Sequence, residues 1–266
     1  MKRNAAWKES FDRYRFALAA FVRRDLRGRY SRTVLGLGWT ILQPLLLLVL
    51  YTFVFSVIMK LRFKAGTGTG NFALYLTSGM FPFLALSDGI QRASTSLSGN
   101  RSLLNKVRFP AEVLPAVGVV TSTIPEVLGL SLLIIAGAFS DVQYSAWLVF
   151  LPVLIFLRVL LTLGIALLVS VLSVFLVDIG QFVGLFLTTW MFLTPIFYPA
   201  DLVPGGFAIA LKLNPLYHLV DAYRAVILEA RNPLASIAIS TVSAALSIGI
   251  GLAFFRGTVE RAKDFL

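Results

Sequence analysis

Long runs of apolar residues alternate with short polar connections along most of the chain. A bilayer core about 30 Å thick requires about 20 apolar residues in a helix, and six runs reach or approach that length. These runs cover residues 34–59, 72–93, 113–139, 146–177, 181–198 and 234–255. The pattern predicts an all-α integral membrane protein with six transmembrane helices.

The N-terminal arm, residues 1–33, follows a different pattern. Its apolar positions recur at spacings of three and four, as on one face of a helix, while arginines occupy the other faces. The apolar positions are Phe11, Tyr14, Leu18, Phe21, Val22 and Leu26. The arm is therefore predicted to be an amphipathic interfacial helix that lies along the membrane surface.

The segment before the last run, about residues 199–232, contains several Pro and Gly residues and yet stays rich in apolar residues. Backbone at membrane depth must satisfy its own hydrogen bonds, which favours short helices over an irregular loop. We call residues 199–232 the outer segment and predict two short re-entrant helices in it. The chain then divides into the arm 1–33, a transmembrane domain 34–255 and a C-terminal tail 256–266.

Composition supports a membrane protein. Hydrophobic residues make up 58% of the chain and charged residues 14%, with a mean hydropathy of +0.83, whereas soluble domains carry about 25% charge. The net charge of +11 fits a basic surface beside anionic lipid, so no nucleic-acid partner is needed. With the arm inside, 16 Lys and Arg lie in cytoplasmic segments and six outside, which predicts that both termini are cytoplasmic.

The residue types in the chain give little support for a catalytic site or a metal site. The chain has no Cys and a single His, and its acids are scattered singly. We interpret His218 and Asp221, three residues apart, as a structural polar contact.

The run 146–177 is longer than one span requires, and Pro152 predicts that its helix begins after residues 146–151. Arg158 then lies near the outer end, where it either snorkels to lipid headgroups or marks a functional site.

Four segments together resemble the membrane subunit of polysaccharide-exporting ABC transporters, the family that moves lipid-linked O-antigen, capsule or teichoic acid chains. They are RDLRGRYSRTVLGLGWTILQPLLLLVLYTFVF (24–55), SLLNKVRFPAEVLP (102–115), VDIGQFVGLFLTTWMFLTPIFYP (177–199) and NPLYHLVDAYRAVILEA (214–230). Two positions depart from the family pattern: Val177 precedes Asp178 where Arg is usual, and Thr194 stands where Ser is usual.

The resemblance implies a half-transporter in the bacterial inner membrane that forms a homodimer and pairs with two copies of a separate ATPase subunit. That subunit binds ATP and Mg, and no cofactor is expected in this chain, which lacks the GxxxxGK[ST] phosphate loop. The substrate is a lipid-linked glycan. Two alternatives stay open: an exporter of a drug or small lipid, which shares the architecture, and a membrane-embedded glycosyltransferase or acyltransferase.

Two cytoplasmic segments are candidates for contact with the ATPase. The first is a predicted coupling helix that ends before Pro110 and consists of Leu103, Leu104, Asn105, Lys106, Val107, Arg108 and Phe109. The second is the turn at Asp178, whose carboxylate could equally cap the fifth span. The alternative for the first segment is a positively charged loop that sets topology.

Aromatic residues are the candidates for the substrate path, because sugar rings present C–H faces that pack on aromatic rings. These residues are Tyr51, Phe55, Phe182, Phe186, Trp190, Phe197 and Tyr198. Aromatic residues also form interfacial belts, which is the alternative. Four arginines of the arm are candidates for the phosphate of the lipid carrier or for lipid headgroups: Arg23, Arg24, Arg27 and Arg29.

Overall fold

The computed structural model describes residues 2–30, 33–59, 71–106, 110–140, 142–176 and 178–265. Within these ranges the chain is helical and has no β-strand, so the predicted all-α class is confirmed. The α-helices are α1 (Lys2–Tyr30), α2 (Trp39–Tyr51), α3 (Phe72–Ala93), α4 (Arg101–Lys106), α5 (Val113–Thr121), α6 (Thr123–Ala138), α7 (Leu151–Phe175), α8 (Ile179–Leu193), α9 (Ala208–Leu213), α10 (Pro215–Ile227) and α11 (Leu234–Phe265).

The first apolar run forms a helix that changes type along its length. A 3₁₀ turn, Gly36–Gly38, leads into α2. Gly36 has a φ of +50°, a backbone conformation that residues with a side chain rarely adopt. Helix α2 continues as a π-helix over Thr52–Ile58. Buried Pro44 lies inside α2. The predicted span 34–59 therefore consists of a 3₁₀ turn, an α-helix and a π-helix in succession.

The third apolar run is broken at Ser122, which separates α5 from α6. Pro125 has no N–H, so it cannot donate the helical hydrogen bond to the carbonyl of Thr121. The Ser122 hydroxyl donates to the carbonyl of Val119 at 2.8 Å. The break places Glu126 in the first turn of α6, inside the protein.

Helices α7 and α11 make the most extensive helix–helix contact of the described chain. A 3₁₀ turn, Ala146–Phe150, precedes α7, which begins at Leu151 with Pro152 in its first turn. This agrees with the helix start predicted from Pro152. Helix α11 is continuous to Phe265, so residues 256–265 prolong the last helix.

Helix α3 forms the centre of the fold, because most of its side chains are buried and it contacts α2, α5, α6, α7, α8 and α10. The outer segment contains two short helices, α9 and α10. Helix α10 packs against α3, α7 and α11, and most of its side chains are buried. Helix α10 of the outer segment is therefore part of the folded core.

Three helical stretches of the described chain are long and apolar enough to cross a membrane: Val113–Ala138, Ala146–Phe175 and Leu234–Phe265. Trp39–Phe55 and Ile179–Leu193 are apolar but shorter. By length and composition the described helices thus include three clear spans, fewer than the six that were predicted.

Candidate functional site

Aromatic rings form a ladder along one face of α8. The rings of Phe182 and Phe186 stack with centroids 6.4 Å apart, and those of Phe186 and Trp190 are 5.4 Å apart. Their spacing of four residues places them on neighbouring turns of the same face. Phe182 and Phe186 expose 62% and 46% of their surface. The ladder is therefore an exposed apolar stripe.

The C-terminal end of this ladder is tied to residues 199–232 by hydrogen bonds. Trp190 donates from Nε1 to Oδ1 of Asn214 at 2.9 Å, and Asn214 donates from Nδ2 to Oγ1 of Thr194 at 2.9 Å. The same Oδ1 atom accepts from the backbone N–H of Leu216, which caps α10. Asn214 thus joins the end of α8 to the start of α10.

A cavity of about 850 Å³ lies between α8 and the outer segment. Phe186, Trp190 and Tyr198 line it on the α8 side, and Leu202 and Phe207 line it on the other side. The walls are mainly apolar, and the volume lies in the range of cavities that hold drug-sized ligands. The aromatic ladder therefore leads into this cavity.

Phe197 and Tyr198 lie in the turn after α8. The Phe197 ring stacks on Phe192 with centroids 5.3 Å apart, and the Tyr198 hydroxyl donates to the carbonyl of Phe192 at 2.8 Å. Both residues therefore belong to the folded end of α8, beyond the last helical turn.

Tyr51 and Phe55 belong to a second aromatic cluster, at the start of α3. The centroids of Tyr51 and Phe55 are 6.0 Å apart, those of Phe55 and Phe72 are 4.7 Å apart, and those of Phe72 and Tyr75 are 6.4 Å apart. The Tyr75 hydroxyl donates to the carbonyl of Tyr198 at 3.2 Å and links the two clusters. The seven predicted path residues therefore fall into two linked groups.

The predicted coupling helix begins as α4. Leu104 is 8% exposed and belongs to one buried cluster with Leu114 and Phe255, with Leu103 at the rim of this cluster. Asn105 and Lys106 complete α4. Val107, Arg108 and Phe109 lie outside the described residues. Leu104 therefore anchors the start of the predicted coupling helix to the protein.

Asp178 occupies the N-cap position of α8, and its side chain is exposed. Its carboxylate makes no capping hydrogen bond, whereas its backbone carbonyl accepts from the N–H groups of Gln181 and Phe182 at 3.1 and 3.0 Å. The expectation that the carboxylate caps α8 is therefore wrong for this conformation, and the carboxylate stands on the surface.

Ion pairs attach α1 to the end of α3. Arg92 contacts Asp25 at 2.8 Å, and Arg29 contacts Asp88 at 3.1 Å. Arg92 also lies 3.9 Å from Asp88. Because the Arg92–Asp25 and Arg29–Asp88 pairs each join α1 to α3, the arm is docked on the protein.

The four arginines predicted to bind phosphate have different environments. Arg24 donates to Oδ1 of Asn100 at 3.0 Å, and Arg29 belongs to the ion pairs with α3. Arg23 and Arg27 are exposed on α1. The surface of the arm therefore presents Arg23 and Arg27 most openly, while Arg24 and Arg29 also hold α1 in place.

A buried polar network joins α6, α7 and α10, and the sequence interpretation missed it. Arg158 donates to Oε2 of Glu126 and, at 2.7 Å, to Oγ1 of Thr123. The Tyr223 hydroxyl donates to Oε1 of Glu126 at 2.9 Å. Arg158 is 0% exposed, so of its two alternatives snorkelling to lipid headgroups is wrong. Opposite charges in two successive apolar runs were the signal that could have revealed the pair.

The neighbouring Arg224 is buried on α10. It donates to the carbonyls of Pro195 and Ile196 at 2.7 and 3.0 Å, and its guanidinium lies 3.6 Å from the centre of the Tyr75 ring. The charge count placed Arg224 among the cations outside the membrane, whereas it is part of the core. It fastens α10 to the turn after α8.

His218 and Asp221 bind other groups instead of each other. His218 Nε2 lies 2.7 Å from the carbonyl of Lys212, and Asp221 accepts from Arg231 and Ser236, both at 2.6 Å. Burial would lower the pKa of Arg231, but hydrogen bonding to Asp221 and the nearby acids raise it overall. Within the described ranges, no three His, Asp or Glu side chains are grouped as a metal site requires.

Comparisons with known proteins agree with the predicted family. The chain matches the family described as "ABC-2 type transporter" over residues 17–228. The "O-antigen export system permease protein RfbA" of Myxococcus xanthus is 33% identical over 238 residues, covering 88% of this chain and 89% of the relative. The protein of the same name from Klebsiella pneumoniae is 27% identical over 255 residues, or 94% of each chain. The "Polysialic acid transport protein KpsM" of Escherichia coli is 23% identical over 258 residues, covering 95% and 97%.

Proposed function

The chain belongs to the ABC-2 type transporter family, and we propose that it is the membrane subunit of an exporter that moves lipid-linked polysaccharide across the bacterial inner membrane. The matched relatives carry the names of permeases for O-antigen and polysialic acid, and they align along nearly their whole length. The chain is a transport permease and not an enzyme. A separate ATPase subunit binds ATP and Mg and drives export.

The observation that carries this proposal is the aromatic ladder on α8. A long glycan needs a surface on which it can slide, and flat aromatic faces pack against the C–H faces of sugar rings. Phe182 and Phe186 are exposed, Trp190 continues the stripe, and the ladder ends at the cavity beside Tyr198. No charged side chain lines that cavity within the described chain. Aromatic walls without a charge suit the faces of sugar rings better than a charged drug.

We place the path between two copies of the chain. Six spans do not enclose a conduit wide enough for a glycan, so a homodimer with two ATPase subunits is the arrangement we favour. Helix α2 supports this idea, because four residues at intervals of four are exposed along one face: Ile41, Leu45, Val49 and Phe53. Together with the α8 ladder they form large apolar surfaces that need lipid or a partner.

The topology that we propose has six spans, both termini in the cytoplasm, and α9 and α10 as re-entrant helices on the outer side. Helix α2 and its π-helical continuation comprise 13 and 7 residues, which together span about 30 Å. Helix α3 has 22 residues, and its polar residues Thr77 and Ser78 lie inside the protein. The arm 1–33 then lies on the cytoplasmic surface, and residues 256–266 extend from the last span.

On the cytoplasmic side, residues 103–109 are our candidate for the coupling helix that docks into the ATPase, with Asp178 as a smaller contact. Leu104 holds the base of this helix, which leaves its other faces for the partner. Arg23 and Arg27 are our first candidates for the phosphate of the lipid carrier, since both are exposed. The same residues also fit anionic lipid headgroups.

The test is ATP hydrolysis by the copurified complex in nanodiscs with different substrates. We expect a lipid-linked glycan to stimulate hydrolysis more than drugs or small lipids do. Stimulation by a small lipid alone would favour the second kind of exporter. Glycosyl or acyl transfer by the chain without its ATPase would favour an enzyme.

Variants then test the path and the coupling surface. Replacing Phe182, Phe186 and Trp190 by Ala should reduce glycan export, whereas Phe156→Ala, on an exposed face of α7, should not. Equal export from both proteins would contradict the path. Because the chain has no Cys, single cysteines placed at positions 103–109 can be crosslinked to the ATPase without background. If no position crosslinks, this segment is not the coupling helix.

A further inference from the structure

The network of Glu126, Arg158 and Tyr223 uses side chains from three different helices. Glu126 lies just after the break between α5 and α6, Arg158 lies on α7 and Tyr223 lies on α10. All three side chains are buried, and Glu126 accepts from both partners. The network therefore sets the position of α10 against the broken helix.

Stability alone does not explain this arrangement. Burying an ion pair costs desolvation, and well-packed apolar residues of similar volume often serve as well or better. The Arg158 guanidinium is also incompletely satisfied, since Nε and Nη1 have no hydrogen-bond acceptor among the described residues. Such a partly satisfied buried charge is costly and calls for a functional explanation. Ionisable residues inside membrane helices commonly have a functional role.

The position of Tyr223 beside Arg224 indicates what the network acts on. Arg224 binds the carbonyls of Pro195 and Ile196 in the turn after α8. Two adjacent residues of α10 therefore hold α6 and α7 through Tyr223 and the end of α8 through Arg224. A displacement of the outer end of α8 would move α10 and change the distance between Tyr223 and Glu126.

Space for such a change is present beside Glu126. A cavity of about 110 Å³ lies between α2, α3 and the start of α6, and Glu126 lines it together with Gln43, Pro125 and the Arg29–Asp88 pair. Its walls include charged and amide groups, so a carboxylate that turned into it would meet polar partners. The cavity also touches the ion pair that attaches α1.

We propose that Glu126, Arg158 and Tyr223 are positioning residues for transport: they couple the outer end of α8 to the broken helix α5–α6, and their hydrogen bonds differ between the steps of the transport cycle. This inference rests on the proposed export function. None of the three is assigned to the substrate or to the ATPase. Their effect is on the coupling between ATP hydrolysis and movement of the glycan.

The most conservative test is Tyr223→Phe, which removes one hydroxyl and keeps the ring. The matched control is Tyr144→Phe, which removes a hydroxyl that donates to the carbonyl of Ile134 outside the network. Both variants are reconstituted as full complexes with the ATPase, and glycan exported per ATP hydrolysed is measured beside the melting temperature. We expect the ratio to fall about tenfold in Tyr223→Phe, the change available when a hydrogen bond to a charged group is made in one state only. We expect no change of the ratio in the control.

If Tyr223→Phe exported as much glycan per ATP hydrolysed as the wild type, the positioning role would be overturned. The same holds if export fell only in proportion to the amount of folded complex, with glycan exported per ATP unchanged. If that variant does not fold, the double variant Glu126→Gln with Arg158→Met removes both charges together. It should fold, because no unpaired ion remains, and should show the same uncoupling. A wild-type ratio in the double variant would equally refute the inference. If the wild-type complex itself shows no hydrolysis stimulated by glycan, the proposed function fails instead.

Discussion

Replacing Gly251 by Ala should force α7 and α11 apart, because the two helices touch through their backbones at this point. A Cβ atom on Gly251 would lie 2.8 Å from both C and Cα of Gly164 and closer still to its carbonyl oxygen. On the other side, a Cβ on Gly164 would overlap the backbone of Ser247. Backbone atoms cannot rotate away as a side chain can. The overlap is relieved only if the helices separate.

The expected cost follows from two opposing effects. Carbon atoms in contact prefer separations of about 3.5–4.0 Å, so the added methyl group needs a shift of roughly 1 Å along a tightly packed helix pair. Overpacking of this kind costs about 1–3 kcal/mol. Ala favours a helix over Gly by up to about 1 kcal/mol, which offsets part of it. The net effect of Gly251→Ala should be a loss of about 1–2 kcal/mol.

Gly249→Ala is the matched control on the same helix, because a Cβ there meets no other atom within 4 Å. It gains the helix propensity without the overlap and should stabilise the protein slightly. Thermal unfolding of the purified protein in one detergent compares the two variants, with about 2–4 °C expected for each kcal/mol in a chain of this size. If Gly251→Ala melted at or above the temperature of Gly249→Ala, the close helix contact would be refuted.

Three further predictions concern the ion pairs and hydrogen bonds. Arg224→Lys should destabilise the fold by about 2–3 kcal/mol in thermal unfolding, since a single ammonium cannot bind two carbonyls in parallel and stack on a ring; a wild-type melting temperature would contradict the clamp. Trp190→Phe should lower the melting temperature, because it removes the hydrogen bond to Asn214, which contributes about 1 kcal/mol, but it should retain more glycan export than Trp190→Ala. Equal export from the two variants would contradict a role of the Trp190 ring in the substrate path. Asp25→Asn should raise the rate at which protease cleaves α1, because the ion pair with Arg92 is lost, and high salt should produce the same change in the wild-type protein; cleavage independent of both would argue against docking by this pair.

Much of the fold could be predicted from apolar run length. Helices α7 and α11 show this best, because they coincide with apolar runs that are long enough to cross a membrane. The break at Ser122 was not predicted, although Pro125 marks it, because a proline is compatible with a kink, a break or a helix start. Helix α3 was predicted as one span among six, and its central position, buried on most sides, was not predicted.

The candidate site likewise has a part that could be predicted from the sequence and a part that could not. The ladder of Phe182, Phe186 and Trp190 follows from their spacing of four, since local geometry alone brings such residues together. The contacts of Arg158 and Arg224 did not follow, because their partners lie 28 to 35 residues away in the chain. Whether a charge in an apolar run reaches lipid headgroups or an acid depends on which helix packs beside it.

The sequence by itself determined that this is a helical membrane protein with a basic arm and an aromatic stripe, because these properties depend on composition and on the period of one helix. The tertiary structure alone decided that α10 is a core element that joins α6, α7 and the end of α8 through Tyr223 and Arg224. The physical reason is that an ion pair or a hydrogen bond requires atoms within about 3 Å. Only the packing of distant helices brings those atoms together.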